Sequence, residues 1–380
     1  MRIWALLSSL VIAISIVAGA KAIAAPTVFQ SSAGDLQIQT VARGLVHPWS
    51  LAFLPGGRML VTERLGRMRI VLQEGKLSPP VAGVPKVFAR SQAGLLDIAL
   101  DRDYAKNATV YFCYNADSSS NVAVARARLS AGEKPRLNDL KVIFRQKGSP
   151  SPGGLNVACR IAQAPDGNLF ISLGDHFKPS KDAQNLSDDI GKIVRIRPDG
   201  SVPPGNPFVG KAGARPEIWS YGHRNAEGLT FNPADGKLWE QEHGPMGGDE
   251  INIIEKGKNY GWPLVSYGVN YDGTPVGHGK THQAGTKQPV WHWTPSIAPS
   301  GMAFYDGKLF PAWRGSLFNG ALKFELLSRL TLHGDKVVKE ERLLHGLHER
   351  IRDVREGPDG AIYLLTDNSK GRILRIAPAK

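Results

Sequence analysis

Short apolar runs alternate along this chain with turns rich in Pro, Asp and Gly, and one phrase recurs. It reads L-A-F-L-P-G-G-R-M-L-V-T-E from Leu51, I-A-L-D-R-D-Y-A-K-N-A-T-V-Y-F from Ile98 and I-A-Q-A-P-D-G-N-L-F-I-S-L-G-D from Ile161. It returns as L-T-F-N-P-A-D-G-K-L-W-E-Q-E from Leu229, M-A-F-Y-D-G-K-L-F from Met302 and V-R-E-G-P-D-G-A-I-Y-L-L-T-D from Val354. Each copy reads as a β-hairpin: Asp-Gly or Gly-Gly supplies the positive φ of a tight turn, and the flanking β-branched and aromatic residues suit a half-buried pleat. Long capped helical patterns are absent; Leu186 to Ile190 is read as a short helical turn and no more. About six copies at a spacing of roughly 50–70 residues suit four-stranded blades with long insertions. The pattern predicts an all-β chain folded as a six-bladed β-propeller, with a pair of β-sandwiches as the competing architecture. Leu36 to Val41 alternates as a ring-closing strand should, and its expected neighbour is Ile373 to Ile376.

A chain of 380 residues can bury a large core as one big β domain or two smaller ones. It opens Met1-Arg2, runs apolar from Ile3 to about Ala20 and reaches Ala22-Ile23-Ala24, the pattern of a signal peptide cut after Ala24 or Ala25. An uncleaved anchor is the alternative, since the run approaches spanning length. The expected organisation is a signal peptide over 1–25 and a propeller over 26–380, periplasmic or secreted, with no stable membrane insertion after cleavage. A net charge of +13 and a pI near 9.7 ask for a partner. The Lys and Arg residues are scattered among strands, which argues against nucleic acid; an anionic ligand or an acidic redox partner fits better. Cys113 and Cys159 are the two cysteines. They pair in a disulfide or sit as separate buried thiols, and no zinc pattern is present.

The densest chemistry lies between Tyr221 and Pro263. Arg224 and Asn225 pair polar side chains on a glycine-flanked loop. His243, Gly244 and Pro245 form a turn whose proline removes a donor and leaves carbonyls free. Asp249 and Glu250 follow two glycines and offer hard oxygens of the kind Ca²⁺ prefers.

Further phrases carry a resemblance: G-L-V-H-P-W-S-L-A-F at Gly44, Q-A-G-L-L-D-I-A-L at Gln92, Y-G-H-R-N-A-E-G-L at Tyr221, E-H-G-P-M-G-G-D-E-I-N at Glu242, P-S-I-A-P-S-G-M-A-F at Pro295 and R-I-R-D-V-R-E-G-P-D-G at Arg350. In this order, over nearly the whole chain after the leader, they resemble the soluble aldose sugar dehydrogenases that depend on pyrroloquinoline quinone (PQQ). The resemblance implies a six-bladed propeller, PQQ and Ca²⁺ as cofactors, and oxidation of an aldose sugar to a lactone. It implies a quinone- or cytochrome-type electron acceptor, whose identity stays open. PQQ is a tricarboxylate, and Arg350 and Arg352 match arginines that grip its carboxylates through a bidentate fork. Both alternate along one strand and so face one side. Lys323, Gln92, Arg224 and Asn225 match further cofactor contacts, with Arg224 and Asn225 polarising the quinone. The Gly244 and Pro245 carbonyls match the ligands of a catalytic calcium. Glu250 and the Tyr260 backbone match those of a structural one, while His243 is not expected to bind calcium. Trp291 and Trp293 match cleft-lining positions, with core packing as the alternative.

One departure matters. The family's proton-accepting histidine sits four residues before an arginine, in a phrase like H-F-G-S-R-I; here the phrase is N-V-A-C-R-I and the position is Asn156. Asp175, in S-L-G-D, matches the aspartate that orients that histidine. A carboxamide cannot accept a proton at neutral pH, and losing a general base costs about 10²–10⁴ in rate. Either Asp175 or His176 takes over as base, or the enzyme is slow or uses another alcohol, or the chain is a non-catalytic binder of PQQ or a saccharide. Strand alternation turns His176 away from Asp175. A calcium-dependent lactonase-like hydrolase is a more distant reading.

Overall fold

The computed structural model describes residues 27–116, 120–177 and 181–379, so the signal-peptide reading of 1–25 lies outside the described residues. Six antiparallel sheets follow one another along the chain as the blades of a propeller. Blade 1 comprises Pro48–Leu54, Arg58–Glu63 and Arg67–Val71; blade 2 comprises Leu95–Leu100, Thr109–Asn115, Val122–Ser130 and Arg136–Arg145. Blade 3 comprises Ile161–Gln163, Leu169–Leu173, Lys192–Ile196 and Ile218–Tyr221. Blade 4 comprises Ala226–Phe231, Leu238–Glu242, Asp249–Ile254 and Trp291–Trp293, and blade 5 Pro299–Phe304, Leu317–Ala321, Leu327–His333 and Lys336–Leu343. Blade 6 joins Ile351–Glu356, Ile362–Thr366 and Gly371–Pro378 to the N-terminal strands Leu36–Leu45 and Thr27–Phe29. The ring closes where the alternation placed it, with Ile38 opposite Ile376 and Ala42 opposite Ile373.

Both faces of a blade are buried, because side chains alternate across a strand and each face meets a neighbouring blade. Leu60 packs into the cluster between blades 1 and 2, while Val61 packs into the one between blades 6 and 1. Ile171 and Phe170 divide the same way between blades 2–3 and blades 3–4. Trp239 fills the cluster between blades 4 and 5, and Phe318 the one between blades 5 and 6. Six apolar seams hold the ring.

Two local readings need correction. The helical turn lies at Lys181–Gln184, and 186–190 is turn and bend. In the Met302 copy, Asp306-Gly307 does not close a tight hairpin. It opens an insertion between Pro299–Phe304 and Leu317–Ala321, with a 3₁₀ turn at Pro311–Trp313. Burial explains it: Phe310 and Trp313 stack at 4.3 Å in the seam between blades 5 and 6. The open cysteine question resolves as a disulfide between Cys113 of blade 2 and Cys159 beside blade 3, with Cα atoms 6.4 Å apart in a fully buried seam.

The inner strands meet around one guanidinium. Arg160 donates to Asp97 of blade 2 (3.2 Å), Asp353 of blade 6 (2.9 Å) and the Glu227 carbonyl of blade 4 (2.7 Å), and it lies 4.2 Å over the Trp49 ring of blade 1. Arg355 adds a second cation to both carboxylates. Burial alone would raise the pKa of Asp97, but Arg160, Arg355, the Ser50 hydroxyl and the Ile161 amide outweigh it and hold it below its ordinary value. A lowered folded pKa stabilises fully above the unfolded value, near pH 4, and this contribution drains away as pH falls. Arg160→Met, which leaves two buried carboxylates underpaired, should cost about 3–5 kcal/mol in urea unfolding at pH 7. The deficit should shrink toward pH 4, because protonation relieves the carboxylates in the variant.

Candidate active site

The site begins at the end of the second strand of blade 3, where the chain must pass another loop at close range. A Cβ at Gly174 would stand 2.0 Å from the Asn156 carbonyl oxygen and 2.9 Å from Asn225 Oδ1, so only glycine admits this approach. Asp175 follows, nearly fully buried. Its Oδ1 accepts from Asn156 Nδ2 and from the Phe177 amide, both at 2.8 Å, and its Oδ2 accepts from Trp262 Nε1 at 2.8 Å. Burial pushes the Asp175 carboxyl above its usual range, against the opposing pull of Arg224 and these hydrogen bonds. Asn156, His176 and Phe177 all adopt positive φ, at 47°, 60° and 56°. Such backbone persists only where surrounding contacts over-determine it, and it clusters at functional sites.

Arg224 crosses the same space. Its Nη1 donates to the His243 carbonyl (3.1 Å) and the Gly244 carbonyl (2.8 Å), and its backbone N–H donates to the Glu242 carboxylate. The guanidinium lies between the rings of Trp262 (5.2 Å) and Phe177 (6.0 Å), while its buried Nε has no hydrogen-bond partner. A cavity of about 330 Å³ opens here, lined by Asp175, Phe177, Arg224, Pro245, Trp262 and Tyr271. A second, of about 480 Å³, shares Pro245 and Tyr271 and extends past Gly244 and Ser296 to Lys323. Together they have the size of a cofactor-and-substrate cleft. A third cavity, of about 500 Å³, lies away from this chemistry among Phe170, Trp219, Phe231 and Lys237.

Beneath Arg224, blade 4 gathers acids. Glu240 and Glu242 share one face of their strand, directly opposite Asn252 and Glu250 on the next. Asn252 Nδ2 is spread over all three carboxylates, at 3.2 Å from Glu240, 3.4 Å from Glu242 and 3.3 Å from Glu250. Burial first, then repulsion from Glu242, raises Glu240 and Glu250 well above the usual glutamate range. A small cavity lined by Glu242, Gly248, Glu250, Tyr260 and Ser266 adjoins them.

The residues marked in the sequence divide into those that reach the cleft and those that stand behind it. Lys323 lines it, exposed; Arg350 is half-exposed, donating to the Leu322 carbonyl at 3.0 Å. Exposed Gln92 accepts from the Asn156 amide at 2.7 Å and so pins that loop. Arg352 is buried between Glu227 (2.5 Å) and Asp367 (3.0 Å), and Asn225 is buried with its Oδ1 on the Ala158 amide (3.1 Å); neither lines a cavity. Tyr260 is buried, its hydroxyl donating to the Ile253 carbonyl at 2.6 Å. His243 Nε2 is tied to the Pro299 carbonyl at 2.5 Å. His176 faces away from Asp175, with its ring nitrogens at Ser149 O (2.7 Å) and Gln146 Oε1 (3.1 Å). For Trp291 and Trp293 the packing alternative holds: Trp293 is buried in the apolar seam between blades 4 and 5, and Trp291 packs against it. Trp262, Phe177 and Tyr271 were missed as site residues. Only its place within the Tyr221–Pro263 stretch hinted at Trp262, because the strand pattern says nothing of which loops converge.

The family model described as glucose/sorbosone dehydrogenase matches residues 45–375. Aldose sugar dehydrogenase YliI of Escherichia coli (strain K12) is 44% identical over 349 residues, covering 90% of this chain and 93% of its own length. A crystal structure of a glucose dehydrogenase superposes with a TM-score of 0.86 at 50% identity, over 90% of this chain and 99% of that one. The PQQ-bound form of aldose sugar dehydrogenase from Streptomyces coelicolor superposes with a TM-score of 0.74 at 30% identity, over 93% and 100%. On sequence and fold alike, the chain belongs to the glucose/sorbosone dehydrogenase family, among its soluble PQQ-dependent aldose sugar dehydrogenases.

Proposed function

We propose that the chain is an exported, PQQ- and calcium-dependent dehydrogenase that oxidises aldose sugars to lactones, with Asp175 as the proton acceptor. The carrying observation is the Asp175 carboxylate, which lines the cleft beside Arg224 and is held by three donors that leave one Oδ2 lone pair uncommitted. In the family pattern an imidazole at position 156 takes the proton and the aspartate orients it. Here the Asn156 amide donates to the same carboxylate, which makes the carboxylate itself the end of the chain.

The residues suit the two cofactors. Exposed Lys323 and the unpartnered Arg224 Nε are unspent donors at the cleft, and half-exposed Arg350, paired with Asp367 at 3.7 Å, adds a further cation of the kind a tricarboxylate requires. Gln92 stands with them at the Asn156 loop, and Arg352 and Asn225 support the cleft from behind. The Gly244 and Pro245 carbonyls are hard ligands for a calcium; the Gly244 oxygen accepts from Arg224 Nη1 and keeps a second lone pair. The Glu250 carboxylate and Tyr260 backbone are the oxygen pair for a second calcium. When bound, PQQ with Ca²⁺ supplies the electrophilic quinone that takes the hydride from the sugar's anomeric carbon.

The chain's own part is to place that carbon and remove the hydroxyl proton. Trp262 Nε1 and Asn156 Nδ2 fix both Asp175 oxygens, so no rotation is needed before proton transfer. Phe177 and Tyr271, 5.8 Å apart on the rim, offer aromatic faces to sugar C–H surfaces. The buried disulfide supports folding in an oxidising compartment, and the net charge of +13 suits an acidic electron acceptor of the quinone or cytochrome type. Asn156 is also what favours the second reading, a weakly active or non-catalytic PQQ or saccharide binder. A lactonase-like hydrolase has less support, since cationic side chains gather at the cleft.

With PQQ and Ca²⁺ added, aldoses should reduce an artificial dye; full PQQ binding by absorbance with no reduction by any sugar would leave only the binder. Asp175→Asn should lower kcat by about 10²-fold or more with KM little changed. It should also erase an acid limb of kcat/KM that lies above the ordinary aspartate value near 4. Asn156→His should change the rate less than about tenfold, whereas a gain of about 10²-fold would return the proton transfer to position 156. Arg350→Gln should weaken PQQ about tenfold or more in a cofactor titration, as expected for a lost charge-assisted hydrogen bond.

A further inference from the structure

Glu240 and Glu242 of blade 4 are not among the ligands proposed above for either calcium. His223 lies in the turn between blades 3 and 4, fully buried, its ring stacked on Tyr260 at 4.7 Å. Its Nε2 is 2.9 Å from the Ser220 hydroxyl. With Nε2–H donating to Ser220 Oγ, Nδ1 turns its lone pair toward the acids. Nδ1 stands 3.5 Å from Glu242 Oε1 and makes no hydrogen bond. Glu240 Oε1, in a side chain with no exposure, also has no partner. One ligand atom from each of His223, Glu240 and Glu242 lies within 4.8 Å of the others.

We propose that His223, Glu240 and Glu242 form a buried site for a divalent transition ion, Zn²⁺ by ligand chemistry, distinct from the calcium sites. Among the described residues no Lys or Arg side chain pairs with Glu240, Glu242 or Glu250, and Asn252 offers one amide nitrogen to all three. A proton on His223 Nδ1 would answer Glu242 and still leave Glu240 Oε1 without a donor. Geometry also suits the ion: with bonds of about 2.1 Å, neighbouring ligands of tetrahedral zinc stand roughly 3.4 Å apart, close to the Nδ1–Oε1 span. Lastly, an imidazole with two carboxylates suits zinc, whereas Ca²⁺ takes six to eight oxygens. The ligands come from a turn and one strand, and their spacing in sequence matches no zinc motif. Since the Arg224 backbone N–H is bonded to Glu242, the ion would brace the loop that carries Arg224 into the cleft.

The test uses the full mature chain without PQQ, stripped by chelator, loaded with Zn²⁺ and dialysed against excess Ca²⁺, with bound zinc measured by mass spectrometry. Wild type and Glu250→Gln should each retain about one zinc, while His223→Gln and the near-isosteric Glu240→Gln should fall at least tenfold. Failure of wild type to retain zinc, or retention by Glu240→Gln, would overturn the proposal. So would loss in Glu250→Gln, which would place the ion with the oxygen ligands of calcium. If Glu240→Gln does not fold, zinc-edge absorption of loaded wild type decides: one imidazole nitrogen with carboxylate oxygens supports the site, and an all-oxygen shell refutes it.

Discussion

The Arg160 guanidinium is the contact on which the ring depends. It is buried where the inner strands converge and touches groups from blades 1, 2, 4 and 6. Apolar seams press adjacent blades together but are nearly interchangeable in direction, so they hold a ring without setting its exact register. A planar cation with five donors does set it, because its carboxylate and carbonyl partners have to arrive at defined positions. Arg160 also stands four residues after Asn156, so the cation that locks the axis anchors the loop that meets Asp175.

From that anchor the site is assembled by close approach. Gly174 admits the Asn156 loop against the end of blade 3, Gln92 clamps it from the loop before blade 2, and Trp262 reaches over from the loop between the third and fourth strands of blade 4 to hold Asp175. Positive φ at Asn156, His176 and Phe177 is tolerated because these contacts hold both segments in place. Arg224 connects the cleft to the acids below it: its side chain meets the Gly244 carbonyl while its main chain meets Glu242. Cleft and carboxylate cluster are therefore parts of one mechanical unit.

Replacing an imidazole by an amide at position 156 changes the direction of a hydrogen bond as well as a pKa. An amide can only donate to Asp175 through Nδ2, and the carboxylate then has no basic neighbour to which it could defer. Desolvation works in the same direction by raising the affinity of Asp175 for a proton. His176 is adjacent in sequence, yet its ring is spent on Ser149 and Gln146.

Sequence alone determined the architecture, because a propeller repeats one local rule. The Asp-Gly turns, the period-2 alternation and the complementary ends at Leu36 and Ile376 each act over a few residues, and they led to six blades and the closing strand. The family resemblance, carried by contiguous phrases, also singled out Asn156 and Asp175. What stayed hidden depends on contacts between distant segments. Whether Cys113 met Cys159, that Trp291 and Trp293 faced a seam, that Asn225 and Arg352 stood behind the cleft, and that Trp262 reached Asp175 across 87 positions were decided by loop placement. Alternation states which side of a strand a residue occupies; only the closed ring decides what that side faces.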